Sequence, residues 1–247
     1  MLAEHMTWEE YRDEVGRKII ILPVGSLEQH GPHLPLNVDT LIAVGLAELV
    51  AERLSAVVLP PVSYGAKSHS GGGELFPGTT SLDGTTLINL VLDVLRETYR
   101  HGGRRFLILN AHFENVAFLV EAAELLLRVG DDARVVVLSW WDLVSDEVIE
   151  DLFAEVGFPG WEIEHAAIAE TSLVQYLAPD LVREDRIIDD RIKREIPYLV
   201  LPPPDDTMTR SGVLYRATYA SREKGERLAC YAVEKIVEVA RRELGAG

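Results

Sequence analysis

Two short segments of this chain carry residue types that bind divalent cations. The first is Gly25-Ser26-Leu27-Glu28-Gln29-His30-Gly31-Pro32-His33-Leu34-Pro35, followed by Asp39. The second is Asn110-Ala111-His112-Phe113-Glu114-Asn115. Glu28 and His30 stand two apart, as do His112 and Glu114. In extended backbone that spacing puts both side chains of a pair on one face. With Asp39, the set offers two imidazoles and three carboxylates, which suit borderline or hard ions such as Zn²⁺ or Mn²⁺. A carboxylate shared between two ions would let both occupy one site. His33 reads as a hydrogen-bonding loop residue.

Both segments follow strands in the sequence pattern. Residues 18–24 are an apolar run closed by Pro23 and Gly25, and residues 105–109 are a second such run. Short strands are also expected over residues 56–59 and 134–138. Helices are expected over residues 40–54, 115–128, 164–177 and 220–244, and from a cap at Ser81 to about His101. Thr7 and Glu10 have the spacing of a capping box. Strand and helix alternate, which predicts an α/β fold: a single domain over residues 1–247, three layers α/β/α, with a mostly parallel central sheet. In such sheets, sites form beyond the carboxyl ends of the strands, where both segments fall. Residues 64–78 form a Gly/Ser-rich loop containing Gly71-Gly72-Gly73, which precedes Glu74 and Pro77 and opens no helix. It reads as a pocket or subunit-contact loop, not a phosphate cradle. Residues 180–208 are charged and then Pro-rich, and are expected to be irregular and to lie at the surface.

The charge balance narrows the partners. There are 24 Lys+Arg against 40 Asp+Glu, a net charge of −16. That field disfavours nucleic acid and anionic membranes, which require basic neutralisation. It suits metal cations or a neutral or cationic small molecule, and it also serves solubility alone. The single cysteine, Cys230, excludes an internal disulfide and is expected in the core. The first residues lack the pattern of a signal peptide, and no apolar run is long enough to span a bilayer, so the expected location is cytoplasmic.

Beyond the two metal motifs, Ser139-Trp140-Trp141-Asp142, Gly160-Trp161-Glu162-Ile163-Glu164-His165, Glu170-Thr171-Ser172 and Ser221-Arg222-Glu223-Lys224-Gly225-Glu226 extend the pattern. Together with Glu28-x-His30 and Asp39, these segments resemble the creatininase family over about residues 18–243. The tryptophan and His165 segments resemble its creatinine-hydrolysing branch more than its other members. The resemblance implies two divalent ions (Zn²⁺, Mn²⁺ or both). Glu28, Asp39 and His112 would hold one, and His30, Asp39 and Glu114 the other, with Asp39 bridging. It implies a substrate pocket at Ser70, Phe113, Trp141, Trp161, Glu162 and Glu164. His165 would be the acid that protonates the leaving nitrogen, and Glu114 would also serve catalysis. Glu170 would orient His165 indirectly, although five residues is poor helical spacing for direct contact. Trp140, adjacent to Trp141, is expected to point away and pack. A homo-hexamer is implied as well.

Ala111 and Phe113 stand where that family's pattern has Gly and Tyr, Glu162 where it has Asp, and Ala166-Ala167 where it has Gly-Gly. The ligand set is untouched, so these departures bear on substrate rather than on chemistry. The implied reaction is hydrolysis of a small cyclic amide, creatinine to creatine. Other family substrates are a keto-inositol, a peptide end and a formamido-pyrimidine nucleotide; the acidic charge disfavours the last. A catalytically silent metal-binding or assembly protein is the alternative from a different class.

Overall fold

The structure, a computed structural model, describes residues 1–69, 73–196 and 198–245. Its strands are β1 (Ile20–Val24), β2 (Val57–Val58), β3 (Arg105–Asn110) and β4 (Arg134–Ser139). They form one sheet in the order β2-β1-β3-β4, with every pairing parallel. β1 and β3 run side by side from Ile20–Phe106 to Val24–Asn110, so the two metal motifs leave the sheet at the same edge.

The helices are α1 (Trp8–Val15), α2 (Val38–Leu54), α3 (Gly84–Arg100), α4 (Val116–Leu127), α5 (Asp146–Leu152), α6 (Ile168–Leu177) and α7 (Arg222–Leu244). Strand side chains alternate between two cores, as the period of two requires. Ile21, Leu107, Leu109 and Leu138 face α2, α6 and α7. Ile20, Leu22, Phe106 and Ile108 face α3 and α4. A sheet buried on both faces explains why its two middle strands read as continuous apolar runs. The three-layer α/β/α expectation holds, and no helix among the described residues is long and apolar enough to cross a membrane.

Several boundaries differ from expectation. The strand expected at residues 56–59 shrinks to a two-residue ladder at the sheet edge. α3 is capped at Asp83 rather than Ser81. Cys230 is exposed, on the outer face of α7, not in the core. The helix expected from residue 164 begins only at Ile168. The cause is Ala166, which has a left-handed φ of 52° and so interrupts the helical path. That conformation costs an L-residue roughly 1–2 kcal/mol. Packing of Ala166 against Val213 and Ala217, and a 2.6 Å hydrogen bond from its amide to Glu170 Oε2, hold it there.

Candidate metal centre and active site

The cluster is placed by what happens at the ends of β1 and β3. A Cβ on Gly25, just past β1, would collide with the backbone of Asp39 and Thr40. Glycine therefore lets the first turn of α2 press against the strand end and sets Asp39 beside it. A carboxylate in a first helical turn also meets the positive end of the helix dipole. At β3, the Asn110 side chain donates to His112 O (2.7 Å) and Ser139 Oγ (3.1 Å) and accepts from the His112 amide (3.2 Å). Asn115 donates to Gly25 O (3.0 Å) and to Asn110 Oδ1 (3.1 Å) and accepts from the Ala66 amide (2.8 Å). These two buried amides stitch the loop ends of β1, β3 and β4 together. They stand inside the second motif, but sequence spacing assigned them no role.

Glu28, His30, Asp39 and His112 are almost completely buried, and they converge. His112 Nδ1 lies 3.2 Å from Glu28 Oε2 and 3.1 Å from Asp39 Oδ2. His30 Nε2 lies 3.1 Å from Asp39 Oδ1 and 3.6 Å from Glu170 Oε2. Three candidate ligand groups result among the described residues: Glu28–Asp39–His112 and His30–Asp39–Glu170, which share Asp39, and Glu28–His30–His165. The first group is the one expected. The second holds Glu170, where Glu114 was expected. The alternation of the strand stops at His112, and a 3-10 turn, Phe113–Asn115, carries Glu114 round to the other side of that ring. There Glu114 Oε2 lies 3.5 Å from His112 Nε2, and Oε1 accepts from the His69 amide at 2.9 Å.

The charges of the cluster match a cation site. Burial opposes charge on His30 and His112, yet the surrounding carboxylates hold both imidazoles protonated well above their ordinary range. Burial likewise opposes ionisation of Glu28, but His165 and His112 outweigh it and bring the carboxyl down to about 2. Asp39 is lowered in the same way, against burial, by His30 and His112. Protons thus occupy the positions that cations would take. Glu28 Oε1, His30 Nε2 and Asp39 Oδ2 are buried without a well-aligned hydrogen bond. Buried polar atoms of this kind call for a partner, and the donor set fits two divalent ions.

The remaining expected residues surround the cavity above this cluster. Trp140 is buried, and Trp141 and Trp161 each meet it edge-on, with centroids at 5.4 and 5.3 Å. Phe113, on the rim, lies nearly parallel to Trp141, at 18° with centroids 6.2 Å apart. Glu162 is exposed at the mouth. Glu164 is buried, with Oε1 accepting from the Ala169 amide at 2.7 Å. Burial first, and then Glu170, push its carboxyl well above the usual range, and its Oε2 has no hydrogen-bond partner among the described residues. Outside the inner cavity, a groove of about 560 Å³ runs between Trp141, Phe158 and Trp161. Ser70 lies outside the described residues.

His165 lines the cavity, its ring centroid 4.4 Å from that of His30. Glu170 does not orient it directly, because the break at Ala166 sends the Glu170 carboxylate to the Ala166 amide and toward His30. His165 Nε2 meets Gln29 instead, 2.9 Å from the backbone carbonyl and 2.9 Å from the side-chain amide nitrogen. Gln29 stands between two ligands in the first motif, and the only available signal was that adjacency.

The creatininase family model, described as creatinine amidohydrolase, matches residues 4–240. A creatinine amidohydrolase from Pseudomonas putida is 47% identical over 248 residues, 96% of this chain and 95% of its own. A mycofactocin precursor peptide peptidase from Mycolicibacterium smegmatis is 34% identical over 221 residues, 85% of this chain and 79% of its own. A 3-dehydro-scyllo-inosose hydrolase from Thermotoga maritima is 26% identical over 243 residues, 90% of this chain and 76% of its own. Among solved structures, a glutamate-to-glutamine creatininase variant complexed with creatine superposes with a TM-score of 0.94 at 45% identity, covering 99% of this chain and 98% of that one. A Zn–Zn form of such a variant gives 0.94 at 45%, and a Mn form of creatininase 0.93 at 46%, with the same coverage.

Proposed function

Because the chain belongs to the creatininase family, we propose that it is a two-metal amidohydrolase that opens a small cyclic amide, creatinine to creatine. The observation that carries this reading is the pair of ligand groups sharing Asp39, Glu28–Asp39–His112 and His30–Asp39–Glu170. When bound, divalent ions supply a water of near-neutral pKa and a Lewis acid for the carbonyl oxygen.

The side chains do the rest. Glu114 lines the cavity beside His112, placed to take the proton that the attacking water loses. His165 delivers a proton to the ring nitrogen as the amide bond breaks, a task suited to an imidazole near neutral pH. Trp141 and Trp161 cover the faces of a flat ring and exclude water, which strengthens the electrostatics at the carbonyl. Glu164, whose carboxyl burial and Glu170 push well above its usual range, offers Oε2 to the ring's polar edge. Ser70 and Glu162 belong to the same reading as further substrate contacts. A homo-hexamer of the 27.5 kDa chain and a cytoplasmic location complete it.

A second substrate class is favoured by one observation. The groove of about 560 Å³ outside the cavity is larger than creatinine needs and could receive the end of a peptide. Turnover by zinc- and manganese-loaded protein across creatinine, other cyclic amides and lactones, a keto-inositol and short peptides decides between them. Creatine formation is the expected result. If neither form makes creatine while another substrate is opened, the substrate assignment falls. If purified protein binds metal but opens none, a silent metal-binding protein replaces the enzyme.

A further inference from the structure

We propose that Gln29 is the positioning residue for His165, holding the ring by Nε2 so that Nδ1 is left for proton transfer. This rests on the reading of His165 as the proton carrier. Gln29 is buried, and its amide is pinned at both ends. Oε1 accepts from the Gly31 amide at 3.0 Å, and Nε2 donates to Gly212 O at 3.1 Å. The first bond requires an acceptor and the second a donor, so the amide has one orientation. The opposing loop has no room for another. A Cβ on Gly212, which has a φ of +82°, would collide with Gln29 Oε1.

That loop is itself braced. Thr209 Oγ1 donates to Val213 O (2.9 Å) and accepts from the Gly212 amide (3.1 Å), and Ser211 Oγ donates to Asp190 Oδ2 (2.6 Å). The Leu214 amide donates to His165 O at 3.1 Å, so the same loop grips the backbone of His165 as well.

Gln29 therefore presents two groups to one ring nitrogen. When Nε2 carries a proton, the Gln29 carbonyl accepts it. When Nε2 is bare, the amide N–H can donate. Nε2 keeps a partner in both states, whereas Nδ1 has no hydrogen bond to any described residue. The resting tautomer is Nε2–H, since the Gln29 backbone carbonyl can only accept and one N–H of the side-chain amide is committed to Gly212. Nδ1 then accepts the proton that Glu114, on the same cavity, has taken from the attacking water, giving an imidazolium whose Nε2–H stays on the carbonyl. Nδ1–H next passes to the leaving nitrogen, which restores the starting ring. The motif thus does more than ligate: between two ligands it places the residue that aims the acid.

The test uses the zinc-loaded protein with nitrogen-15-labelled histidine, and the Gln29→Met and Gly212→Ala variants. Gln29→Met removes the amide. Gly212→Ala displaces it while leaving residue 29 intact, and serves if the first variant folds poorly. In the wild type, His165 should show a protonated Nε2 and a bare Nδ1. In either variant that preference should weaken, and kcat should fall about 10–100-fold, as for other outer-shell supports, with KM and metal content unchanged. Unchanged His165 signals and kcat in both variants would overturn the proposal. So would a kcat loss that tracks metal loss, because Gln29 would then act through Glu28 and His30. Wild type that opens no substrate defeats the functional reading, and the ring signals still decide the role of Gln29.

Discussion

The carboxylate–imidazole cluster hangs from the ends of two hydrogen-bonded strands and the first turns of two helices, whereas the aromatic wall hangs from two 3-10 turns, Phe113–Asn115 and Trp140–Leu143, and the loop at residues 158–167. Asp39 and His30 are 1% exposed, while Phe113 on the wall is 40% exposed. The cluster is braced by buried side-chain amides and by a glycine that admits no side chain. The wall is braced by edge-on aromatic contacts, which are less directional and individually weaker. The cluster is thus built to keep ligand atoms in register and the wall to adjust to a guest. Substitutions in the two regions should differ in kind as well as in size.

The largest effect is expected from Asp39→Ala, which removes the carboxylate common to both ligand groups. Elemental analysis should show both ions lost, and activity should fall by about 10³-fold or more, given the several kcal/mol that a Lewis acid contributes. An active variant that retains one tightly held ion would break the picture of a shared ligand. His165→Ala lies on the border of the two regions. It should leave metal content intact and lower kcat by roughly 10²–10⁴-fold, the usual contribution of a positioned acid or base. Near-normal turnover would remove His165 from the proton path.

The cluster should also show a proton linkage that the wall lacks. In the metal-free protein, His30 and His112 have raised pKa values, so their charged forms stabilise the fold at low pH. That stabilisation is lost as the pH rises through those folded-state values. Ions need both imidazoles neutral, so metal must displace their protons. Below the raised values, affinity should fall by about tenfold per pH unit for each proton displaced. Glu28 and Asp39 are already ionised and release none until far more acid conditions. Calorimetry in buffers of different ionisation enthalpy should find up to two protons released per chain at neutral pH. No release would mean that the imidazoles carry no displaceable protons in the metal-free protein.

The smallest effects belong to the wall. Trp161→Ala should raise KM by up to about tenfold, the order of one aromatic contact, and lower kcat as water enters. Phe113→Tyr should lower KM by at most about tenfold, the upper value of one neutral hydrogen bond, or leave it unchanged. A large kcat change from Phe113→Tyr would place Phe113 in the chemistry rather than on the rim.

The same division governs what the sequence could reveal. Two-residue spacing and strand-end position bring out Glu28, His30 and His112, which with Asp39 converge in the fold, because strand geometry is regular and local. The α/β/α layering followed from equally regular periods. The alternation says less about Glu114, because a single 3-10 turn, Phe113–Asn115, carries it to the other side of the His112 ring. Glu170 makes no direct contact with His165, as five-residue spacing implies, but its place beside His30 comes from the helix break at Ala166, which spacing does not reveal. Gln29 and Gly212 meet across the molecule through loop conformation, which no local pattern carries. Cys230, expected inside from its place in an amphipathic stretch, lies on the solvent face of α7, beside the buried Leu228 and Ala229.

The register of the sheet has a consequence for the order of folding. Ile20 pairs with Phe106, and the chain between them contains α2, β2 and α3. Glu28 and His112 cannot meet until that crossover has closed, and pairing between distant segments forms late and slowly. The ions therefore enter a finished cleft rather than nucleate it. Chelation should strip the site and leave the sheet standing.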